Sequence, residues 1–165
     1  MPESLLRTDR EISEIYLRHS KTVYRVCFAY MKNQNDTEDA VEETFYRMII
    51  KAPEFSSEEH EKAWLIRTAT NICLDILKSW QRKNENIDDY SHIEVYDNTG
   101  TDEVLRAVTD LPEKYKTVVY LYYYEGYTSA EIAEILQKPK STVRNYLHEA
   151  RKILRERIGE DFYEE

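Results

Sequence analysis

The sequence predicts an all-α protein: two small helical domains, an N-terminal bundle of three to four helices and a C-terminal helix-turn-helix, joined by an acidic flexible linker. Three observations predict it. The 165 residues contain only 3 Gly and 4 Pro, too few turn formers for a sheet of many strands. Apolar residues recur at helical spacings of three and four through most of the chain. That period disappears once, from Asn84 to about Gly100, where Asp, Asn, Ser, Thr and Gly dominate.

The first helix is predicted over Glu11–Lys32, with Ile12, Ile15, Val23, Val26, Cys27 and Tyr30 on its apolar side. Asn33–Asp36 breaks it, and Asp36 is the expected N-cap of the second, with Thr37, Glu38 and Asp39 in its first turn. Val41, Phe45, Met48 and Ile49 face inward, and the helix runs to about Lys51, where Pro53 ends it. Glu54–Glu61 is an acidic, serine-containing loop. A third helix follows with Trp64, Leu65, Ala69, Ile72, Ile76 and Trp80 on one stripe.

Beyond the linker, Asp102–Thr109 has the length of a short helix, and Leu111-Pro112 opens the next with proline near its first position. Val118, Val119, Leu121 and Tyr122 form its apolar side, and Gly126 stops it. Thr128-Ser-Ala-Glu131 has the pattern of a capping box. After Pro139, Ser141 is the expected cap of a long helix carrying Val143, Leu147, Ala150 and Leu154. A short helix, a tight turn and a longer basic helix form a helix-turn-helix pattern. The expected organisation is thus 1–83, a linker over 84–105, 106–158, and an acidic tail over 159–165.

The net charge is −9, yet the charge is segregated. Lys62, Arg67, Lys78, Arg82 and Lys83 stand against Asp75 alone in the third helix. Residues 138–157 are also strongly basic, whereas 34–61 and 84–105 are acidic. A modest basic patch on an acidic protein neutralises few phosphates, so a partner must supply much of any DNA affinity. Apolar runs are too short to span a bilayer, and no secretory leader is visible. Cys27 and Cys73 lie within apolar stripes and read as buried free thiols of a reducing compartment, and the four His are scattered. No phosphate loop, nucleophile–base pair or metal motif appears, so no catalytic residue, metal or cofactor is expected.

In a helix-turn-helix the second helix enters the major groove and presents its N-terminal outward residues to base edges. With Val143 and Leu147 inward, those are Lys140, Ser141, Thr142, Arg144, Asn145 and His148, while Arg151, Lys152 and Arg155 reach phosphates. Arg144 suits guanine and Asn145 suits adenine, each by paired hydrogen bonds. Two functions remain open at this level. One is a DNA-binding subunit that depends on a protein partner; the other is a stand-alone helix-turn-helix regulator with an N-terminal sensor or dimerisation bundle.

Leu111-Pro-x-Lys-Tyr-x-x-Val-Val-Tyr-Leu, Gly126-Tyr-Thr-Ser-Ala-Glu-Ile-Ala-Glu-Ile-Leu and Ser141-Thr-Val-Arg-Asn-Tyr-Leu-x-x-Ala-Arg together resemble region 4 of sigma-70-family factors, which binds the −35 promoter element. Response regulators of the LuxR type share part of that pattern. Asn35-Asp-Thr-Glu-Asp-Ala-Val-Glu-Glu-Thr-Phe resembles the acidic helix of region 2. Ala63-Trp-Leu-Ile-Arg-Thr-Ala-Thr-Asn-x-x-x-Asp-x-x-Lys resembles its strand-opening segment. The similarity spans about 11–83 and 106–158, and an acidic linker replaces the third domain of housekeeping factors, as in the extracytoplasmic-function (ECF) group.

That resemblance implies a non-enzymatic, cytoplasmic subunit of RNA polymerase. Asp36, Glu38, Asp39, Glu42 and Glu43 would dock on the clamp helices of the largest subunit, with the flap of the second-largest as a further partner. Asn71 and the loop Phe55–Glu61 would contact an extruded base of the −10 element, with Arg67, Lys78, Arg82 and Lys83 tracking the strand. The linker would thread the polymerase cleft. An anti-sigma factor, often membrane-anchored in this group, would hold the chain inactive. Glu42 replaces a common glutamine, Lys78 an arginine, and Tyr146 and Glu149 stand at positions that are often basic, so promoter preference cannot be borrowed.

Overall fold

A computed structural model of the chain describes residues 6–83 and 103–158. The described residues are helical apart from short connections, and they fall into two compact units dividing at Tyr96–Asp97. Most of the predicted linker and the whole tail 159–165 lie outside the described residues. The last linker positions, 103–105, stand in a helix with Leu105 buried.

The first unit is a bundle of α1 (Asp9–Met31), α2 (Gln34–Lys51) and α3 (Glu58–Lys83), each packed on the other two. α1 begins earlier than its apolar period, because Thr8 and Glu11 form a reciprocal capping box: Thr8 Oγ1 accepts from Glu11 N at 3.1 Å and Glu11 Oε1 from Thr8 N at 3.0 Å. Lys32 ends it in the left-handed region at φ 67°.

The expected cap of α2 is corrected. Asn33, not Asp36, caps it: Asn33 Oδ1 accepts from Asp36 N, and Asn33 Nδ2 donates to Asp36 Oδ2, both at 2.8 Å. Asparagine offers both an acceptor and a donor, so it satisfies the first turn and holds the carboxylate as well. The loop before α3 is also shorter than predicted. Glu58–Glu61 is already helical, with Ser57 Oγ accepting from His60 N at 3.1 Å and three carboxylates at the positive end of the helix. The interior is apolar, including Val23, Val26, Phe45, Met48, Leu65, Ala69 and Ile72, with Cys27 and Cys73 as buried free thiols. Trp64, Ile76 and Trp80, expected on the same stripe, are half-buried.

One polar cluster interrupts that core. Glu61 of α3 is 8% exposed; Arg18 Nη2 donates to both its oxygens at 3.0 and 3.1 Å, and His19 Nε2 lies 2.9 Å from Oε1. Burial alone would raise the Glu61 carboxyl pKa. The hydrogen bonds and charges of Arg18 and His19 outweigh it and hold the carboxyl below its ordinary value.

The second unit comprises α4 (Glu103–Thr109), α5 (Glu113–Val119), a π-helical turn (Tyr120–Tyr124), α6 (Ser129–Leu136) and α7 (Lys140–Ile158). Pro112 caps α5, as expected from a residue that has no N–H to satisfy. The α4–α5 corner is tied by side chains: buried Lys116 donates to the Thr109 carbonyl at 3.1 Å and Arg157 to the Asp110 carbonyl at 2.7 Å. The π turn widens the helix until Glu125 N bonds the Tyr120 carbonyl, and Gly126 leaves it at φ +84°, where a side chain would be strained. The Thr128–Glu131 capping box forms as predicted. α7 departs from expectation by two residues. The Pro139 carbonyl accepts from Val143 N at 3.2 Å, so Ser141 stands inside the first turn rather than at its cap. Val143, Leu147, Ala150 and Leu154 are buried, together with Tyr120, Leu121 and Ile132.

Candidate functional site

Three exposed faces carry the candidate residues. On α2, Glu38, Asp39, Glu42 and Glu43 are exposed, with Glu38 accepting from Gln34 Nε2 at 3.0 Å and Glu43 from Arg47 Nε at 3.3 Å. Asp36 stands apart, half-buried and engaged by the Asn33 cap. Turning about 100° per residue, Asp39, Glu42, Glu43, Tyr46 and Ile50 share one outward arc. Tyr46 and Ile50 are 57% and 46% exposed, so the acidic face is continued by an apolar one. Their sequence signal was available: both are out of phase with the inward Val41, Phe45 and Met48.

On α3, the same helical rule aligns His60, Arg67, Asn71, Lys78 and Arg82 along one side, with Lys83 rotated away. Asn71, Lys78, Arg82 and Lys83 are exposed, while Arg67 is half-buried and burial lowers its pKa. From Glu61 to Asn71 the axial distance along α3 is about 15 Å. Trp64 is half-buried, with Phe55 6.0 Å away edge-on.

On α7, Lys140, Ser141, Arg144, Asn145, His148 and Arg155 are exposed; by helical phase Ser141, Arg144, Asn145, His148 and Arg155 share a broad arc outside the Val143–Leu147 stripe, with Lys140 at its edge nearest Leu147. Thr142 is half-buried; by helical phase it adjoins Asn145 on the flank that it shares with Tyr146 and Glu149. Tyr146 packs edge-on against Tyr115 at 5.4 Å beneath Lys114, which accounts for an aromatic where a basic residue is common. Arg151 is half-buried: its Nε donates to Tyr123 Oη at 2.9 Å, and its guanidinium lies 5.8 Å from the Tyr122 ring. No helix among the described residues is long and apolar enough to cross a membrane.

A carboxylate-rich helix, a basic helix beside it in the same bundle and a basic recognition helix in a second unit define a class of protein that meets a protein partner and DNA together. Comparison with known proteins specifies that class. Sigma-70 region 2 matches residues 15–83, and sigma-70 region 4 matches residues 101–154. The RNA polymerase sigma factor SigV of Bacillus subtilis is 30% identical over 142 residues, which cover 83% of this chain and 84% of that one. The ECF RNA polymerase sigma factor SigW of the same organism is 27% identical, covering 90% and 87%. The sigma factor RpoE of Bartonella quintana, solved in complex with the anti-sigma factor NepR, has the same fold at a TM-score of 0.69 and 18% identity, covering 89% of this chain and 96% of that one. The chain belongs to the sigma-70-type RNA polymerase sigma factors, in the extracytoplasmic-function group.

Proposed function

We propose that this sigma factor joins core RNA polymerase through the α2 face and only then engages promoter DNA. Glu38, Asp39, Glu42 and Glu43 offer acceptors to basic residues of the clamp helices of the largest subunit, and Tyr46 and Ile50 add apolar contact. The second unit meets the flap of the second-largest subunit. Asp36 serves the fold of the docking helix rather than the contact itself.

On DNA, Arg144 and Asn145 read base edges of the −35 element from the first turns of α7, flanked by Lys140, Ser141 and His148, with Arg155 on phosphate. The α3 face follows the −10 single strand. The loop before α3 takes the extruded base, Asn71 reaches a later nucleotide, and Lys78, Arg82 and Lys83 hold the backbone. The protein performs no covalent chemistry, and an anti-sigma factor covering these faces would silence it. One observation carries the reading: the acidic docking face and both basic faces occur in a single chain, on separate exposed helices.

Promoter-specific transcription by purified core polymerase, with and without this chain, tests it. Initiation should depend on the chain, and charge reversal at Glu38 and Asp39 should weaken binding to core. Tight duplex binding without core, and no added initiation, would sink the reading in favour of a stand-alone regulator.

A further inference from the structure

The loop between α2 and α3 is held from outside the segment that matches sigma-70 region 2. Arg7 precedes α1, whereas the match begins at residue 15. Its Nη1 donates to the Ala52 carbonyl at 3.4 Å and its Nη2 to the Pro53 carbonyl. Its guanidinium carbon sits 4.5 Å from the centroid of the Phe55 ring. Phe55 in turn meets His60 edge-on at 5.1 Å, and His60 Nδ1 accepts from Ser56 N at 3.0 Å. At the far end, the first turn of α3 is held by Arg18, which pairs with Glu58 at 3.6 Å and Glu61 at 3.0 Å. Both ends of the loop therefore rest on arginines from the α1 side.

The chemistry requires arginine at position 7. Ala52 and Pro53 stand beyond the last turn of α2, and the fork of a guanidinium can reach both carbonyls while keeping a flat face on an aromatic ring. An ammonium is a single point of charge and cannot do both. With Phe55 pinned, the aromatic contact to His60 and the Ser56–His60 bond hold 55–57 in one arrangement; without it, fewer molecules would carry a loop ready for its ligand.

We propose that Arg7 is a positioning residue for −10 recognition, holding the loop that receives the extruded base. This rests on the reading of that loop given above. Arg7 touches no DNA in this scheme, and it acts through the conformation of Phe55 and the residues that follow.

The test uses the full chain with core polymerase, on templates substituted at each −10 position in turn. Arg7→Ala and Arg7→Lys are compared with His60→Ala, which alters the loop itself. Arg7→Ala should flatten the preference for the best −10 base over the worst by roughly tenfold, the scale of one mismatched base, with core affinity and thermal melting unchanged. Arg7→Lys keeps the charge and should lose the preference as well. An unchanged preference in Arg7→Ala, with a changed one in His60→Ala, overturns the role of Arg7 alone. No change in either variant overturns the reading of the loop, and this proposal with it. A uniform loss on all templates, accompanied by earlier melting, shows a purely structural residue and also overturns it.

Discussion

The two units bury their helices by different means. In the first, α1, α2 and α3 run 23, 18 and 26 residues, and each presents a full apolar stripe. That bundle can hold a charged cluster, Arg18–Glu61–His19, inside its α1–α3 seam. In the second, α4, α5 and α6 are 7 or 8 residues long, too short to be stable alone. There aromatic rings fill the space that length would have covered: Tyr120 is fully buried and stacks on Tyr124 at 5.1 Å, and its hydroxyl donates to Glu125 at 2.5 Å. Long helices give the first unit extended faces suited to a partner and a single strand. Short helices give the second a compact base for one long recognition helix.

If that contrast holds, the largest single loss lies in the aromatic core. Tyr120→Ala should cost the second unit about 3–5 kcal/mol, by cavity formation and lost stacking. Tyr120→Phe keeps the ring and should cost only about 1 kcal/mol for the hydroxyl bond. Native-state hydrogen exchange, read separately for the amides of each unit, measures both. Equal losses in the two variants would show that the hydroxyl, not the ring, holds the turn.

The polar cluster of the first unit comes next. Glu61→Gln leaves Arg18 and His19 facing a neutral amide, and should cost about 2–3 kcal/mol, at or below the range for breaking a buried pair because Arg18 is partly solvated. The pH dependence follows from the lowered pKa of Glu61. Its contribution is fully present above the unfolded value near 4.5 and is lost as pH falls through the lower folded value. Wild type and Glu61→Gln should therefore differ most near neutrality and converge in acid. A gap that persists undiminished at pH 3 would mean that packing rather than charge accounts for the loss.

Base reading is a smaller effect and separates the recognition faces rather than the cores. Arg144→Ala should lower discrimination for a matched −35 element by about 1–3 kcal/mol, seen as a narrowed ratio between matched and scrambled promoters. Wild type that uses both promoters equally would show that there was no selection to lose.

Most of the fold was legible because amphipathic stripes fix helices and their inner faces. The buried Val143, Leu147, Ala150 and Leu154 all follow from spacing. What spacing does not report is the end of a helix, since caps depend on one side chain reaching one N–H. Asn33 and Ser57 each moved a boundary for that reason, and at α7 the Pro139 backbone carbonyl moved a third. The placement of the candidate residues was legible where a side chain stands singly and outward, as at the exposed Arg144 and Asn145. It was less so where a residue is claimed by its neighbours: Asp36 by a cap, Tyr146 by Tyr115, and Arg151 by two tyrosines. Arg7 could not be read at all, because its partners are backbone carbonyls some 45 residues away.

Arg151 offers the finest test of the contrast, because sequence assigns it to phosphate and the fold engages it internally. Its bond to Tyr123 and its place over Tyr122 tie α7 to the π turn that ends the tyrosine-rich helix. A strut and a phosphate ligand leave different traces. Loss of a strut lowers stability and leaves the number of released counterions unchanged, whereas loss of a phosphate contact does the reverse. Arg151→Ala should then cost the second unit about 1 kcal/mol and barely move the salt dependence of promoter binding by the polymerase complex. Lys152, exposed one residue further on, is the natural control: Lys152→Ala should reduce the salt slope by about 1 with little loss of stability. Were Arg151→Ala to reduce the slope as Lys152→Ala does, the side chain must leave the tyrosines when DNA binds. The aromatic base of α7 would then be part of the recognition surface rather than only its support.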